Sequence, residues 1–505
     1  MQEKSITKNT VYLTIRMLFL MVINFYTSRV ILDKLGVEDY GVYNIVSSIA
    51  IAFAFFGSSL TNATQRFVTI ELGKCNLRKA NQIINLHFEV YAIITIICLV
   101  IAEIAGVYLI QNKINIPIDR IDAAIWVFQF ALLSIAAQLI SIPFEASVIS
   151  HEDMNVYSYM GIFEGVMRLV IALVISLVSF DKLIFYAMLM CLVTGLTQSG
   201  YTIYAFRHYK ECFIKFYWNL NYLKESFSFV GWNIVGTARV AVITQGMDLV
   251  LNIFLGPVAN AARGVTNQVS GAIFKFSSNI LVAAQPQLVK SYANGNNERL
   301  NSLFFKTSLF SFYVLWLLIA PMLFNLDTVL NIWLKEVPQW TTGFLFWHLC
   351  TTFVYVLTRP LWSLIVAVGD LKKYVILDTL TSVLGVPFAI VVLKIGLTPE
   401  YVYIALLIVQ FLNTATLLKV VNEYVGFGLM DYVKHVITRI ALISIISGPI
   451  VWILSSSFPN SIVGFISSYT IGFVLVGIII LYLGIDKDDR KSIIHKVKSK
   501  MLSHA

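Results

Sequence analysis

Apolar segments of transmembrane length follow one another along almost the whole chain, with short polar connections between them. An α-helix needs about 20 apolar residues to cross the roughly 30 Å hydrocarbon core of a bilayer, whereas a barrel strand needs about 10 residues of alternating character. The pattern therefore predicts an all-α polytopic membrane protein with about 14 transmembrane helices. The predicted spans are 11–32, 40–61, 86–110, 123–148, 157–179, 182–206, 229–255, 258–284, 304–326, 343–367, 375–395, 400–420, 436–456 and 460–484.

Lysines and arginines are divided unequally between the two sides that these spans define. Outside the span interiors, one side holds 24 of them and the other side holds 6. The positive-inside rule places the richer side, and with it both termini, in the cytoplasm. Because 58% of the residues are hydrophobic and only 13% are charged, we interpret the net charge of +9 as a topology signal. Membrane lipids are the expected contact of this charge, and no nucleic-acid partner is expected.

Two stretches of the chain align at a shift of 220 residues. The segment 35–37 (LGV) matches 255–257 (LGP), and the loop 72–81 falls on 292–301. This repeat predicts two six-helix lobes of parallel topology, a form in which transporters place a central site between the repeats. A general likeness among helix–loop–helix membrane sequences remains the alternative. The expected boundaries are 1–206 for the first lobe, 207–228 for a cytoplasmic linker, 229–420 for the second lobe, 436–484 for two further helices and 485–505 for a basic tail.

Basic residues inside the predicted spans need a reason, since each costs about 2.5–3.5 kcal/mol at a helix centre. Arg29 and Arg168 each have an acid one turn away, and Arg16 and Arg263 are close enough to a helix end to reach the headgroups. Local pairing or headgroup contact is therefore an open alternative to a functional role for these four. The full set is Arg16, Arg29, Arg168, Arg239, Arg263, Lys275 and Arg359.

Arg239, Lys275 and Arg359 are deeper in their spans, and none of them has an acid three or four residues away. They are expected to face another helix or a water-filled cavity. The seventh and eighth spans are also rich in uncharged polar groups, so we predict a hydrophilic, net-positive cleft beside them that suits an anionic substrate. These polar groups are Asn233, Thr237, Thr244, Gln245, Asn267, Gln268, Ser277, Ser278 and Asn279.

Asp248 is the acid of most interest, because its own helix offers it no cation within one turn. A desolvated carboxylate can exchange a proton or bind Na⁺. A salt bridge from Asp248 to Arg263, Lys275 or Arg359 is the alternative. Glu164 is the second candidate for ion coupling. The other intramembrane acids are Glu103, Glu145 and Asp378.

Motifs for other energy sources and for metals are missing from the sequence. It has no G-x-x-x-x-G-K-[ST] loop, so ATP is not the expected direct energy source. The run 151–153 (HED) fits a solvated turn better than a metal site. No cofactor is expected, and a proton or sodium gradient would supply the energy.

Several motifs resemble the polysaccharide flippases, a branch of the multidrug/oligosaccharidyl-lipid/polysaccharide (MOP) exporter superfamily. LDKLGVEDYGVYNIVSSI (32–49) resembles the first-loop and second-helix signature, and SHEDMNVYSYMGIFEG (150–165) resembles the turn between the fourth and fifth helices. The stretch 231–296, over the seventh and eighth spans, is similar to O-antigen and lipopolysaccharide-biosynthesis flippases in particular. LNIWLKEVP (330–338) and GDLKKY (369–374) continue the likeness.

The resemblance implies a fold and a function. It implies two lobes in a V-shaped, MATE-like arrangement around a cleft lined by helices 1, 2, 7 and 8. It also implies movement of an undecaprenyl-diphosphate-linked oligosaccharide to the periplasmic leaflet of the bacterial inner membrane, coupled to an ion gradient. A polysaccharide polymerase and a chain-length regulator would be partners. The family's cationic cleft residues match Arg16, Arg239, Arg263 and Lys275.

The intramembrane polar residues and the family resemblance together predict one site. The substrate-binding residues are Arg16, Asn24, Arg239, Gln245, Arg263, Asn267, Lys275 and Arg359, and the ion-coupling residues are Asp248 and Glu164.

Two other function classes remain as alternatives. A cation-coupled drug exporter of the same fold should have a cavity dominated by acids, and here intramembrane basic residues outnumber acidic ones seven to five. An integral-membrane glycosyltransferase or ligase usually carries an acidic motif on a large external loop. The longest external connection here is only 327–342, so an enzyme is not expected.

Overall fold

The computed structural model describes residues 6–459, 461–487 and 490–491. The side chains of 6–15, 220–230, 232–233, 276–280 and 282–283 are outside the described set. Four of the predicted polar cleft groups fall there, and most of the predicted basic tail is also outside the described residues. The four are Asn233, Ser277, Ser278 and Asn279.

Every regular element in the described ranges is helical, which confirms the all-α polytopic fold. By length and composition, 11 helices are apolar enough to cross a membrane, or up to 12 if the bent pair 16–53 and 57–73 is one span. The expected number of about 14 is thus approximate. Part of the difference arises because the span predicted at 11–32 and most of the span predicted at 40–61 lie in one kinked helix that ends at Phe53.

Contacts divide the chain into two compact units, Met1–Gly264 and Val265–Ala505. The helices of the first unit are α1 (Ile6–Phe53), α2 (Gly57–Gly73), α3 (Leu77–Asn112), α4 (Ile121–Ser150), α5 (Met154–Val174), α6 (Lys182–His208), α7 (Leu220–Leu255) and the first turns of α8 (Pro257–Ala293), with 3₁₀ turns at Ile118–Arg120, Ile175–Leu177 and Lys210–Cys212.

The second unit contains the rest of α8 and ten further helices. They are α9 (Asn297–Leu323), α10 (Leu326–Trp333), α11 (Thr341–Tyr355), α12 (Thr358–Val368), α13 (Lys372–Val383), α14 (Gly385–Lys394), α15 (Glu400–Val425), α16 (Leu429–Tyr432), α17 (Thr438–Ser457) and α18 (Ile462–Ile479), with π-helical turns at Val433–Ile437 and Ile480–Gly484.

Two breaks shape the beginning of the chain. Gly36 interrupts α1 with φ 83° and ψ 166°, a backbone conformation that a residue with a β-carbon rarely adopts. The second break, at residues 54–56, bends the line of α1 by 46° into α2. Gly256, between α7 and α8, has nearly the same φ as Gly36, at 80°. The aligned LGV and LGP segments therefore share a glycine that ends one helical run and starts the next.

The loops after α2 and α8 share their backbone hydrogen bonds residue by residue. The N–H groups of residues 75 and 76 donate to the carbonyls of 72 and 71, and those of 295 and 296 donate to 292 and 291. Residues 75 and 295 have positive φ, as in the Schellman motif that ends many helices. Asn76 and Asn296 each cap the following helix by accepting the N–H three residues on. This shared geometry supports the repeat at a shift of 220.

The segment 209–219, between α6 and α7, lies along α3. One face of α3 presents Asn81, Asn85 and Glu89, which are four residues apart and therefore neighbours on the helix surface. Asn81 donates to the carbonyls of residues 211 and 213, both at 2.7 Å. Asn85 and Glu89 accept from the N–H groups of residues 215 and 217, at 2.8 and 2.7 Å. Hydrogen bonds from side chains of α3 to the backbone of residues 211–217 thus hold this part of the predicted linker against α3.

Candidate substrate and ion site

Asp248 on α7 forms an ion pair with Arg263 on α8. Arg263 Nε donates to Asp248 Oδ1 at 2.5 Å, and Ser48 Oγ on α1 donates to Oδ2 at 2.6 Å. A second guanidinium nitrogen of Arg263 donates to the carbonyl of Thr244 at 3.2 Å. Arg263 is only 4% exposed, so headgroup contact, one of the alternatives left open for it, does not apply. The salt bridge stated as the alternative role of Asp248 is the arrangement that the structure shows.

Two asparagines around Gly256 hold the ends of α7 and α8 together. Asn252 donates to the side chain of Asn260 at 2.9 Å, and Asn260 donates to the carbonyl of Asp248 at 2.8 Å. A β-carbon on Gly41 of α1 would lie 2.0 Å from the carbonyl oxygen of Pro257, so only glycine allows this close approach. The sequence analysis did not single out Ser48, Asn252 or Asn260. Their only sequence signal is that they are polar residues in apolar spans.

Arg16 packs against α5. Its guanidinium carbon lies 4.2 Å from the ring centroid of Tyr157, in a cation–π contact. A β-carbon on Gly161 would lie 2.3 Å from Arg16 Nε, so the missing side chain makes room for the guanidinium. This Nε is buried and has no hydrogen-bond partner among the described residues. Arg16 therefore presents a desolvated positive group to the interior of the first unit.

Three further charged groups accompany Arg16. Glu164 pairs with Arg168 one turn along α5, which confirms the expected local pair. Both side chains are partly exposed, although Arg168 Nε is buried. Glu145, on α4, interacts electrostatically with Arg16 and with Glu164. The structure thus gathers Arg16, Glu145, Glu164 and Arg168 on three helices, whereas the sequence had paired only Glu164 with Arg168.

In the second unit, Arg359 lies near Phe274 and Tyr355. Its guanidinium carbon is 5.8 Å from the centroid of Phe274, whose ring lies 5.5 Å from that of Tyr355. Arg359 Nε is buried and has no hydrogen-bond partner in the described part of the chain. Lys275 follows Phe274 on α8 and is exposed. The predicted cations on α8 and α12 therefore differ in burial, with Arg359 the more enclosed.

The other predicted site residues lie closer to the surface of the structure. Asn24, Arg239 and Gln245 are partly exposed, and Asn267 is exposed. Gln245 accepts a hydrogen bond from the hydroxyl of the preceding threonine.

Asp378 on α13 has a polar environment that the sequence did not reveal. Asn413, from α15, donates to Asp378 Oδ1 at 2.9 Å and lies 2.6 Å from Ser382 Oγ and 3.0 Å from Thr381 Oγ1. Asn413 is 2% exposed. The spacing of Asp378 and Ser382, one helical turn apart, was the available signal, but Asn413 is far away in sequence.

Comparisons with known proteins extend these observations. No protein-family model and no curated protein matches the chain. Solved structures do match. A lipid II flippase MurJ in an inward closed conformation has a TM-score of 0.72 at 11% identity, over 93% of this chain and 98% of that chain.

Two further neighbours from the MOP superfamily have the same architecture. An inward-facing multidrug resistance MATE family transporter of the MOP superfamily has a TM-score of 0.67 at 13% identity, over 83% of this chain and 98% of that one. A MOP superfamily transporter from Pyrococcus furiosus, whose description reports a binding pocket of reverse polarity, has a TM-score of 0.58 at 13% identity. The match covers 83% of this chain and 96% of that one. The chain is thus a multi-pass membrane protein with the fold shared by MOP superfamily transporters and a lipid II flippase.

Proposed function

We propose that this protein is a flippase that moves an undecaprenyl-diphosphate-linked oligosaccharide from the cytoplasmic to the periplasmic leaflet of a bacterial inner membrane, by ion-coupled alternating access. The observation that carries the proposal is an arginine in each unit whose guanidinium has a buried nitrogen that no described side chain neutralises; Arg168 also has such a buried nitrogen but is paired with Glu164. Arg16 and Arg359 each hold a buried Nε without a hydrogen-bond partner among the described residues. An unsatisfied charged donor away from water is costly, so both groups favour an anion such as a diphosphate.

The charge balance of the site supports this substrate over an organic cation. Asp248 is neutralised by Arg263, and Glu164 is neutralised by Arg168. A drug exporter for cations needs acidic groups that face its cavity, and these two are already paired with arginines. The cation-coupled drug exporter of the same fold remains the alternative, and its substrate would depend on Glu145 and Asp378.

Lipid-linked substrates also suit a protein embedded in the bilayer. A charged, hydrated headgroup cannot cross hydrocarbon unaided, because each charge loses its water there. A polar path for the headgroup solves this problem while the polyprenyl chain stays in lipid. The fold likeness to a lipid II flippase is compatible with such a path.

The proposal is tested in a strain that lacks the gene. We expect loss of surface polysaccharide and accumulation of the lipid-linked repeat unit in the cytoplasmic leaflet, with both restored by the wild-type gene. A strain that keeps its polysaccharide but becomes sensitive to cationic drugs would instead identify a drug exporter.

Arginine substitutions test the anion site. In the complemented strain, Arg16→Gln and Arg359→Gln should each reduce export about tenfold or more, since a hydrogen bond to a charged group contributes about 1.5–3 kcal/mol. Arg239→Ala and Lys275→Ala are expected to reduce export in the same way. Polysaccharide yield and membrane abundance of each variant are the measurements.

Arg66→Gln is the matched control for these variants, because Arg66 also lies over an aromatic ring, 5.6 Å from the centroid of Phe67, but is exposed on the surface of α2. It should export normally. If Arg16→Gln and Arg359→Gln also export normally at full abundance, neither arginine binds the transported anion.

A further inference from the structure

A polar cavity opens in the first unit where α2, α4 and α6 meet. Its volume is about 210 Å³, and we call it the Glu145 cavity. It begins at the bend between α1 and α2, where Ala54 and Gly57 leave space beside Leu139 of α4. A β-carbon on Gly57 would lie 3.4 Å from Leu139, so a larger residue there would fill part of the cavity.

Hydrogen-bonding groups of several kinds line the Glu145 cavity. Glu145 supplies a carboxylate that accepts no hydrogen bond from the described side chains. Gln198 Oε1 accepts from Ser141 Oγ at 2.5 Å, which leaves the NH₂ group of Gln198 as a donor. The Thr61 hydroxyl donates to the carbonyl of Gly57 at 3.1 Å, so its oxygen is left as an acceptor. Ser58 and Gln138 add a further hydroxyl and amide.

The same face of α4 provides an apolar wall. Ile135, Leu139 and Ile142 line the cavity at helical spacing, and Gln138 and Glu145 lie along one edge of the same face. A ligand that fits must therefore offer hydroxyl or amide groups on one side and C–H groups on the other. Pyranose rings have both.

The volume of the cavity fits a sugar ring better than it fits a single ion. At ~30 Å³ for each water in the liquid, the space corresponds to about seven waters. A desolvated monovalent cation is smaller than one water and needs oxygen ligands on all sides of a single point. Pockets for drug-sized ligands are about 300–1,000 Å³, so the cavity is also too small for a whole repeat unit. One ring is the matching size.

We propose that the Glu145 cavity binds one sugar ring of the transported oligosaccharide, with Glu145 accepting hydrogen bonds from ring hydroxyls, Gln198 donating to a ring oxygen, and Leu139 contacting the C–H face. This inference rests on the proposed function and adds a sugar-specificity site to it. Arg16 does not line the cavity but interacts electrostatically with Glu145, which connects the sugar site to the proposed anion-binding arginine.

Direct binding of free sugars tests the site. The purified chain is reconstituted in nanodiscs of phosphatidylethanolamine and phosphatidylglycerol, and saturation-transfer difference NMR is recorded with glucose, galactose, mannose and N-acetylglucosamine as separate probes. We expect saturation transfer to at least one of them in the wild type. Glu145→Gln should weaken that sugar's apparent affinity about tenfold, because a charge-assisted hydrogen bond is lost. Thr61→Val should weaken it as well.

Glu103→Gln is the matched control. Glu103 is also an intramembrane glutamate of the first unit, but it bonds Gln129 at 2.9 Å and does not line the cavity. It should leave sugar binding unchanged. No transfer to any probe in the wild type, or equal binding in the Glu145→Gln and wild-type proteins, overturns the proposal. A ²³Na signal that depends on Glu145 without any sugar binding overturns it in favour of an ion site.

A cellular measurement separates this inference from the proposed function. If the deletion strain loses surface polysaccharide and Glu145→Gln restores it fully for every sugar composition tested, the sugar site is wrong and the flippase proposal stands. If the deletion strain has normal polysaccharide and no accumulated repeat unit, both are wrong. Restoration by the wild type and Glu103→Gln, with reduced export by Glu145→Gln, supports both.

Discussion

At the scale of single residues, the position of Arg16 depends on one missing side chain. In the sequence, Arg16 was close enough to a helix end to reach the headgroups. It was predicted to bind substrate only because it matches a cleft cation of the polysaccharide flippase family. In the structure, its guanidinium lies over the ring of Tyr157, in space that Gly161 leaves free because it has no side chain; both residues are on α5. No local pattern reveals this contact, because Arg16 and Gly161 are far apart in sequence. The position of the Arg16 guanidinium therefore depends on Gly161, which was not among the residues singled out from the sequence.

Gly161→Ala tests this arrangement. The added β-carbon would lie 2.3 Å from Arg16 Nε, so the flexible end of the arginine must move, while the helix itself gains about 0.5–1 kcal/mol from replacing glycine. We expect normal or higher abundance and a severalfold loss of export. Polysaccharide yield and detergent-solubilised thermal stability are the measurements.

Gly195→Ala, on α6, is the matched control, because its β-carbon would meet nothing within 4 Å. It should gain the same helix stability and export normally. Normal export by Gly161→Ala would mean that the contact of Arg16 with Tyr157 has no part in transport.

At the scale of elements, the start of α8 is joined to α7 and α1 by buried polar groups. Asp248, Arg263 and Ser48 come from three helices and meet around one ion pair. The two asparagines near Gly256 add hydrogen bonds at the turn. In hydrocarbon these groups have no water to replace a lost partner, so the ion pair fixes how the three helices pack.

The ion pair predicts coupled effects on stability. Asp248→Asn and Arg263→Gln should each lower the free energy of unfolding by about 3–5 kcal/mol, since each leaves a buried charge alone. The double variant should lose less than the sum of the two, as expected for residues in contact. Thermal unfolding of the purified variants measures these losses.

Glu164→Gln is the comparison within the same unit, and it should cost less than Asp248→Asn because Glu164 and Arg168 are more exposed than Asp248 and Arg263. Export under imposed pH and Na⁺ gradients is measured in parallel. If Asp248→Asn retains full stability but changes the gradient dependence of export, Asp248 couples an ion and its pair with Arg263 is secondary.

At the scale of the whole molecule, the charge distribution predicts the orientation in the membrane. The loop after α2 carries Cys75 among several basic residues, and Cys75 is exposed. The segment after α6 carries Cys212, which is buried where that segment lies against the helices. These two cysteines belong to the side predicted to be cytoplasmic, and they differ in accessibility.

Cysteine labelling tests this orientation. In a variant that keeps only Cys75, a membrane-impermeant maleimide should react in inverted vesicles and not in intact spheroplasts. A variant that keeps only Cys212 should resist the reagent in both, because burial raises the pKa of the Cys212 thiol to about 12 and excludes the reagent. Mass-shift gels measure the labelled fraction. Labelling of Cys75 in intact spheroplasts would reverse the predicted topology.

The amino-acid sequence was sufficient to predict the all-α membrane fold and most of its helices. Membrane insertion depends on the length and hydrophobicity of each segment, which are local properties, so the helices are predictable one by one. Gly36 and Gly256 are local too, because positive φ favours glycine wherever it occurs. The repeated loops after α2 and α8 follow from the same short-range rules.

The partners of the intramembrane charges were decided only by the tertiary structure. Sequence spacing found Glu164 and Arg168, which are one turn apart, but left Asp248 with several possible partners. Arg263 became its partner because the turn at Gly256 brings the start of α8 against α7. The Glu145 cavity, the contact of Arg16 with Tyr157 and the bond of Asn413 to Asp378 likewise join helices that are distant in sequence. Hydrophobicity determines that a helix enters the membrane, whereas packing between helices determines which polar side chains meet there.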